Sequence, residues 1–186
     1  MLTILFGTSC VGKTTLINGL YSRFSLPYIG CYTTRPARDN DIGRYQVSDE
    51  EFDVLEKEQK FLLVNRNFKY RYGTPRDQIM LAVNSLDNFV IDFLIKDLSS
   101  FNSIKCKKII VVPENEDQLE YQISQSIERI DRREEILSDY RNNFSTSKIE
   151  QYDRQGCFIF TNYFQRIKNN TFELHNLILK QHGFIG

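Results

Sequence analysis

Residues Leu2 to Phe6 form a short apolar run that passes directly into Gly7-Thr8-Ser9-Cys10-Val11-Gly12-Lys13-Thr14, a fit to G-x-x-x-x-G-K-[ST]. The order constrains the fold more than the match does. Such a turn works only where a buried strand ends and a helix begins, because there free backbone N–H groups and the helix dipole face one anion. The two glycines let the backbone curl around phosphate oxygens with no side chain in the way. In that geometry Lys13 reaches the β- and γ-phosphates of ATP and the Thr14 hydroxyl sits on Mg²⁺. The expected ATP-binding stretch is Gly7, Thr8, Ser9, Cys10, Val11, Gly12, Lys13, Thr14 and Thr15.

At 186 residues the chain is long enough to bury a core as one domain. Its formal net charge is zero, so no global field favours nucleic acid or an anionic membrane. Cysteines 10, 31, 106 and 157 make no C-x-x-C pair, and both histidines, His175 and His182, are remote from them; free thiols in a reducing compartment are expected, not a zinc site. The N-terminus has no basic region followed by a long apolar stretch, and no segment approaches the roughly 20 apolar residues that span a bilayer. A cytoplasmic protein is expected, as monomer or homodimer.

A helix is expected over Lys13–Phe24, where Leu16, Leu20 and Phe24 recur at helical spacing. Ile29–Thr34 is β-rich, and residues 35–43 read as a polar loop. Ser48 and Glu51 form a capping box for the next helix. Short strands follow near Phe61–Asn65 and Phe68–Tyr72, then a helix over about Arg76–Ser85. Apolar runs at Asn88–Ile91, Lys108–Val112 and Cys157–Phe160 read as buried strands, a polar helical region covers about Glu116–Asn142, and a last helix Phe164–Leu179. Continuous apolar strands alternating with helices predict an α/β fold with a central parallel sheet covered on both faces.

A second cluster is Tyr32-Thr33-Thr34-Arg35-Pro36-Ala37-Arg38, then Gly43-Arg44-Tyr45, then Tyr72-Gly73-Thr74. Two arginines three apart can clamp a phosphate bidentately, with tyrosine hydroxyls completing its hydrogen bonds. Taken alone, the cluster reads more readily as a solvated basic loop over packed aromatics. In order, GTSCVGKTT, YTTRPAR, GRY with VSDEEF, YRYGTP, VID, IIVVP and FIFTN resemble the guanylate kinase family over nearly the whole chain.

The resemblance implies a three-layer P-loop kinase fold with a central parallel sheet, a small strand-rich acceptor-binding subdomain and a lid. The single domain 1–186 divides into a core of 1–32, 83–114 and 136–186, an acceptor-binding subdomain at 33–82 and a lid at 115–135. It implies an ATP-dependent phosphotransferase acting on a nucleoside monophosphate, GMP by family default, with Mg²⁺. Catalytic roles fall to Lys13, Arg35 and the lid residue Arg129. Acceptor contacts fall to Cys31, Arg35, Arg38, Tyr45, Leu63, Tyr72, Thr74 and Asp92, metal contacts to Thr14 and Asp92, and a place near the donor adenine to Asn162. Structural readings stay open for three of these: a strand-end cap for Asp92, a solvated helix face for Arg129 and a turn for Asn162. The same fold admits a kinase of a sugar phosphate, or a silent guanylate-kinase-like binding module.

The departures cluster on base recognition. Cys31 stands where the family carries a guanine-contacting serine, Leu63 where it carries a guanine-reading glutamate, and Leu94 where it carries a second aspartate. Leaving two buried N–H donors of a base unpaired costs roughly 1–3 kcal/mol each, so the phosphate clamp is expected to be kept and guanine selectivity to be reduced or lost. The lid is short: its first arginine is lost near Ser126, with Arg132 or Arg133 as substitutes.

Overall fold

The apolar run at the N-terminus is strand β1 (Leu2–Gly7), buried at every residue. The computed structural model describes residues 1–37, 42–67, 69–125 and 127–180. Helix α1 (Lys13–Phe24) follows, then strands β2 (Cys31–Thr33) and β3 (Arg44–Gln46), helix α2 (Asp49–Lys57), strands β4 (Phe61–Asn67) and β5 (Tyr70–Pro75), and helix α3 (Arg76–Asn84). Strand β6 (Phe89–Leu94) runs into a 3-10 helix (Ile95–Phe101). Strand β7 (Lys107–Pro113) leads to helices α4 (Glu116–Ser124), α5 (Ile127–Ile130), α6 (Arg133–Asn143) and α7 (Thr146–Arg154). Strand β8 (Phe158–Asn162) and helix α8 (Ile167–Leu179) complete the order.

The central sheet has order β6-β1-β7-β8 and every pairing in it is parallel. Successive side chains of a strand point to opposite faces, and here both faces are dry. Leu5 joins Leu16, Leu20, Ile109, Val111, Ile136 and Leu174 on one side. Leu2, Ile4 and Phe6 join Ile79, Ile91, Phe101, Ile110 and Tyr152 on the other. An unbroken apolar sequence therefore belongs to a three-layer α/β architecture, the fold class the sequence predicts.

The second sheet has order β3-β2-β5-β4, with β2 parallel to β3 and antiparallel to β5. Its inner side is aromatic: the Phe61 ring lies 4.7 Å from that of Phe52 and 5.7 Å from that of Tyr32. A glycine pair joins the first sheet to this one. A Cβ on Gly30 would stand 1.9 Å from the Gly43 carbonyl oxygen, and Gly43, at φ 63°, leaves room for the Tyr28 ring. The chain can pass here only as bare backbone.

Local expectations met by the structure include α1 at its predicted limits and the reciprocal Ser48–Glu51 capping box at the start of α2. The polar helical region expected over 116–142 divides into three helices. Leu119 and Ile123 are the buried residues of α4, and Ile136 and Leu137 those of α6. At ~100° per residue, Ile123 and Ile136 would face directions roughly 140° apart on one straight rod, so the chain must break to bury both. Helix α7 and the 3-10 helix after β6 were not foreseen. At the far end, the Lys107 ammonium donates to the carbonyls of Leu177 (2.9 Å), Ile178 (2.8 Å) and Lys180 (2.6 Å), closing the C-terminus of α8 from beneath.

Candidate functional site

At the carboxyl end of β1 the chain turns through Cys10 at φ 66° and Gly12 at φ 86° before α1 begins. Gly12 is the N-cap of α1 and makes no side-chain capping bond, so the first backbone N–H groups of the helix open onto the turn. Its conformation is fixed from below. Asn162, fully buried at the end of β8, donates to the Val11 carbonyl at 2.9 Å and accepts from Asn170 at 2.7 Å. A Cβ on Gly12 would stand 2.4 Å from that Asn162 amide nitrogen. Lys13 is buried and donates to the carbonyls of Gly7 (2.9 Å) and Thr8 (2.8 Å). An ammonium carries three N–H donors, so two loop carbonyls do not exhaust it. Burial lowers the Lys13 pKa, while Asp92 works in the opposite direction.

The turn opens onto a cleft of ≈ 840 Å³. One wall is the turn itself, through Ser9, Cys10, Gly12, Lys13, Thr14 and Thr15. The second sheet supplies Cys31, Arg44, Asn65, Tyr72 and Thr74; the end of β6 and the turn after it supply Asp92, Leu94 and Asp97. Gln122, Arg129, Asp131 and Arg132 close the remaining side. The volume falls in the usual range of roughly 300–1,000 Å³ for small-molecule sites.

Asp92, near the end of β6, lines the same cleft. The Tyr28 hydroxyl donates to its Oδ1 at 2.8 Å, and the Arg44 guanidinium approaches the same oxygen at 3.6 Å. Arg44 also donates to the Cys31 sulfur. Burial alone would lower the Arg44 pKa, but Asp92, Tyr28 and Cys31 outweigh it and hold the guanidinium charged. Burial raises the thiol of Cys31, with Arg44 opposing, and raises the phenol of Tyr28, with Asp92 adding to the effect. A carboxylate oxygen and the exposed Thr14 hydroxyl facing one cleft are the hard oxygen donors Mg²⁺ takes, so these residues fit the ion.

Of the residues singled out in the sequence, the cleft gathers Ser9, Cys10, Gly12, Lys13, Thr14, Thr15, Cys31, Tyr72, Thr74, Asp92 and Arg129. Gly7, Thr8 and Val11 act through the backbone of the turn, and the Thr8 hydroxyl is turned to Asp139. Asn162 lies under the turn as its buttress and stands apart from the cleft lining. Arg35 is 7 % exposed, donates to the Pro36 carbonyl at 3.2 Å, and is not among the described residues that line the cleft. Tyr45 points out, at 44 % exposed. Leu63 packs against the core, while Leu94 lines the cleft. Arg38 lies outside the described residues. Of the two candidate lid substitutes, Arg132 lines the cleft and pairs with Glu135 at 3.1 Å, and Arg133 pairs with Glu120 and Glu134.

Sequence reasoning missed Tyr28, Asn65 and Asp97, and took Arg44 only as part of a motif around Tyr45. Parallel pairing of β2 with β3, Cys31 opposite Arg44, would have signalled Arg44, but β3 is three residues long and carries no periodicity. The buttress role of Asn162 makes a separate prediction. Asn162→Ala should cost about 2 kcal/mol, because it takes the Asn162 donor from the Val11 carbonyl and leaves the Asn170 amide only its bond to the Tyr163 carbonyl in a dry site. Thermal unfolding measures this, and an unchanged midpoint would show that the turn holds itself.

No family model matches the chain. Among individual proteins, a guanylate kinase from Blochmanniella floridana is 32% identical over 131 residues, 64% of this chain and 61% of that one. A guanylate kinase from Buchnera aphidicola subsp. Schizaphis graminum is 26% identical over 190 residues, 98% of this chain and 88% of that one. The match to the Blochmanniella protein thus spans less than two thirds of its length, and the match to the Buchnera protein most of it. A crystal structure of guanylate kinase from Anaplasma phagocytophilum superposes with a TM-score of 0.64 over 96% of this chain and 84% of that one, at 15% identity. That degree of likeness speaks for the fold.

Proposed function

This chain is a divergent relative of the guanylate kinases, and from that premise we propose that it moves the γ-phosphate of ATP onto the phosphate of a nucleoside monophosphate, with GMP the acceptor its relatives' name points to. One observation carries the reading. The turn that ends in Lys13 and the second sheet's Arg44, Tyr72 and Thr74 line one cleft, and Asp92 lines it with them.

Phosphoryl transfer needs little covalent help from a protein; holding two phosphates in line and balancing the charge of the moving group does most of the work. The backbone N–H groups at the start of α1 and the Lys13 ammonium hold the donor's β- and γ-phosphates. Arg44 and the Tyr72 hydroxyl present donors on the acceptor side. Arg129, which also donates to the Gln122 carbonyl at 3.0 Å, and Arg132 bring positive charge from the third side. Mg²⁺ would be held by the Thr14 hydroxyl and Asp92 and would supply charge neutralisation between donor phosphates. Tyr28, through its hydroxyl, and Arg44, through its guanidinium, hold the Asp92 carboxylate in place. Among the described residues no helix is long and apolar enough to cross a membrane.

An ADP-release assay with ATP, Mg²⁺ and GMP, AMP, CMP, UMP and their deoxy forms tests the proposal. Release that depends on at least one monophosphate is the expected result. No release with any of them, together with no shift of the unfolding midpoint by ATP, would overturn it in favour of a silent binding module.

A further inference from the structure

Two carboxylate positions that would read a guanine are leucines here, Leu63 on β4 and Leu94 at the end of β6. Two residues beyond the first, on the same face of β4, stands Asn65; three residues beyond the second, in the 3-10 helix, stands Asp97. The two meet. The Asn65 side-chain amide donates to Asp97 Oδ2 at 2.9 Å, and both residues line the cleft beside Tyr72 and Thr74. We propose that Asp97, positioned by Asn65, is the base-reading residue of this cleft and selects an acceptor whose base edge carries two adjacent N–H donors.

The argument rests on what the pair offers. A carboxylate has two oxygens and about four lone-pair directions. Asn65 takes one, and the backbone at Leu94 supplies a further hydrogen bond. Acceptor capacity remains on a residue that lines the cleft and is only 7 % exposed. The Asn65 oxygen is a second acceptor alongside. A surface built from acceptors matches donors, and of the common bases only guanine sets an imino N–H and an amino group side by side on its pairing edge. Adenine and cytosine place a ring-nitrogen acceptor beside the amino group, and uracil has one N–H between two carbonyls. Burial raises the Asp97 pKa, with Asn65 and Lys96 countering in part; donors from a base would stabilise the ionised form further. The pair thus supplies, from two other positions, the hydrogen-bond acceptors that Leu63 and Leu94 cannot. The inference deepens the kinase reading and rests on it for the word acceptor only.

Asp97→Asn tests it. The change is isosteric and its amide oxygen can still accept from Asn65, so the fold and the Asn65 contact are retained while one acceptor and the charge are lost. Turnover should be compared across GMP, IMP (which lacks the amino group), AMP and UMP, and binding of the same four measured by calorimetry without ATP. The wild-type chain should prefer GMP over IMP and AMP by about tenfold or more in kcat/KM. Asp97→Asn should lower GMP by about 30- to 100-fold, IMP by less, and AMP and UMP by under about threefold, collapsing the GMP/IMP ratio. A GMP preference that survives the substitution overturns the inference, as does an equal loss for all four, which would mark a structural role. If the wild-type chain turns over none of them, the kinase reading fails, and calorimetry alone decides: a GMP preference in binding that Asp97→Asn abolishes upholds the base reader, and no preference, or one that persists, overturns it.

Discussion

Lys13→Ala is expected to slow phosphoryl transfer about a thousandfold, in line with the roughly 10²–10³ lost when one preorganised donor to a developing negative charge is removed. The ammonium is delivered from the first turn of α1, and its two bonds to the carbonyls of Gly7 and Thr8 hold it at the mouth of the turn. A group preorganised in a dry site acts on the transferring phosphate without reorganising at the moment of reaction. The unfolding midpoint should move little. Two carbonyls lose a donor, but the cost of burying a cation disappears with it, and the two effects are of similar size. Steady-state kinetics with saturating acceptor, alongside thermal unfolding, separate the terms. Unchanged turnover would remove Lys13 from the reaction, and loss of the folded state would make its role structural.

The largest effect on stability is expected at the opposite end of the sheet. Lys107→Met keeps the length and apolar stem of the side chain but withdraws the donors from the three carbonyls at the end of α8. Helix ends leave their last carbonyls unpaired, and here one buried ammonium serves three of them. Burial lowers its pKa, so removal of the cation recovers part of the loss. A net cost of about 3 kcal/mol, or a midpoint lower by roughly 6–12 °C for a domain of this size, is expected. Because Lys107 is remote from the cleft, the KM values for ATP and acceptor should stay within about twofold while the midpoint falls. A drop under about 2 °C would mean that the end of α8 is served in some other way.

The parts of this molecule that could be read in advance are those whose cause is contiguous. The phosphate turn, the limits of α1 and the Ser48–Glu51 box each depend on residues within a few positions of one another. The parallel sheet was legible because burial on both faces leaves an unbroken apolar signature. The division of 116–143 was not, since whether that stretch breaks into separate helices depends on which faces Ile123 and Ile136 must present to a core that local sequence does not describe. The cleft behaves likewise. Tyr28 reaches Asp92 across 64 positions and Asn65 reaches Asp97 across 32, and neither spacing carries a pattern. Arg35 shows the converse case: its place in TTRPAR fixes where it stands along the chain but not which way its guanidinium turns, and it turns to its neighbour's carbonyl.

The contact of Gly30 with the Gly43 carbonyl ties backbone crowding to charge placement. Cys31 and Arg44, the next residues along each strand, face one another in register, and Arg44 is the cation that reaches Asp92. A methyl group on Gly30 would wedge the two strands apart and draw that cation out of reach of its carboxylate, and one on Gly43 would press on the ring of Tyr28, the other partner of Asp92. The spacing between that cation and its carboxylate is therefore gauged by a pair of residues that carry no charge and have no side chain to vary.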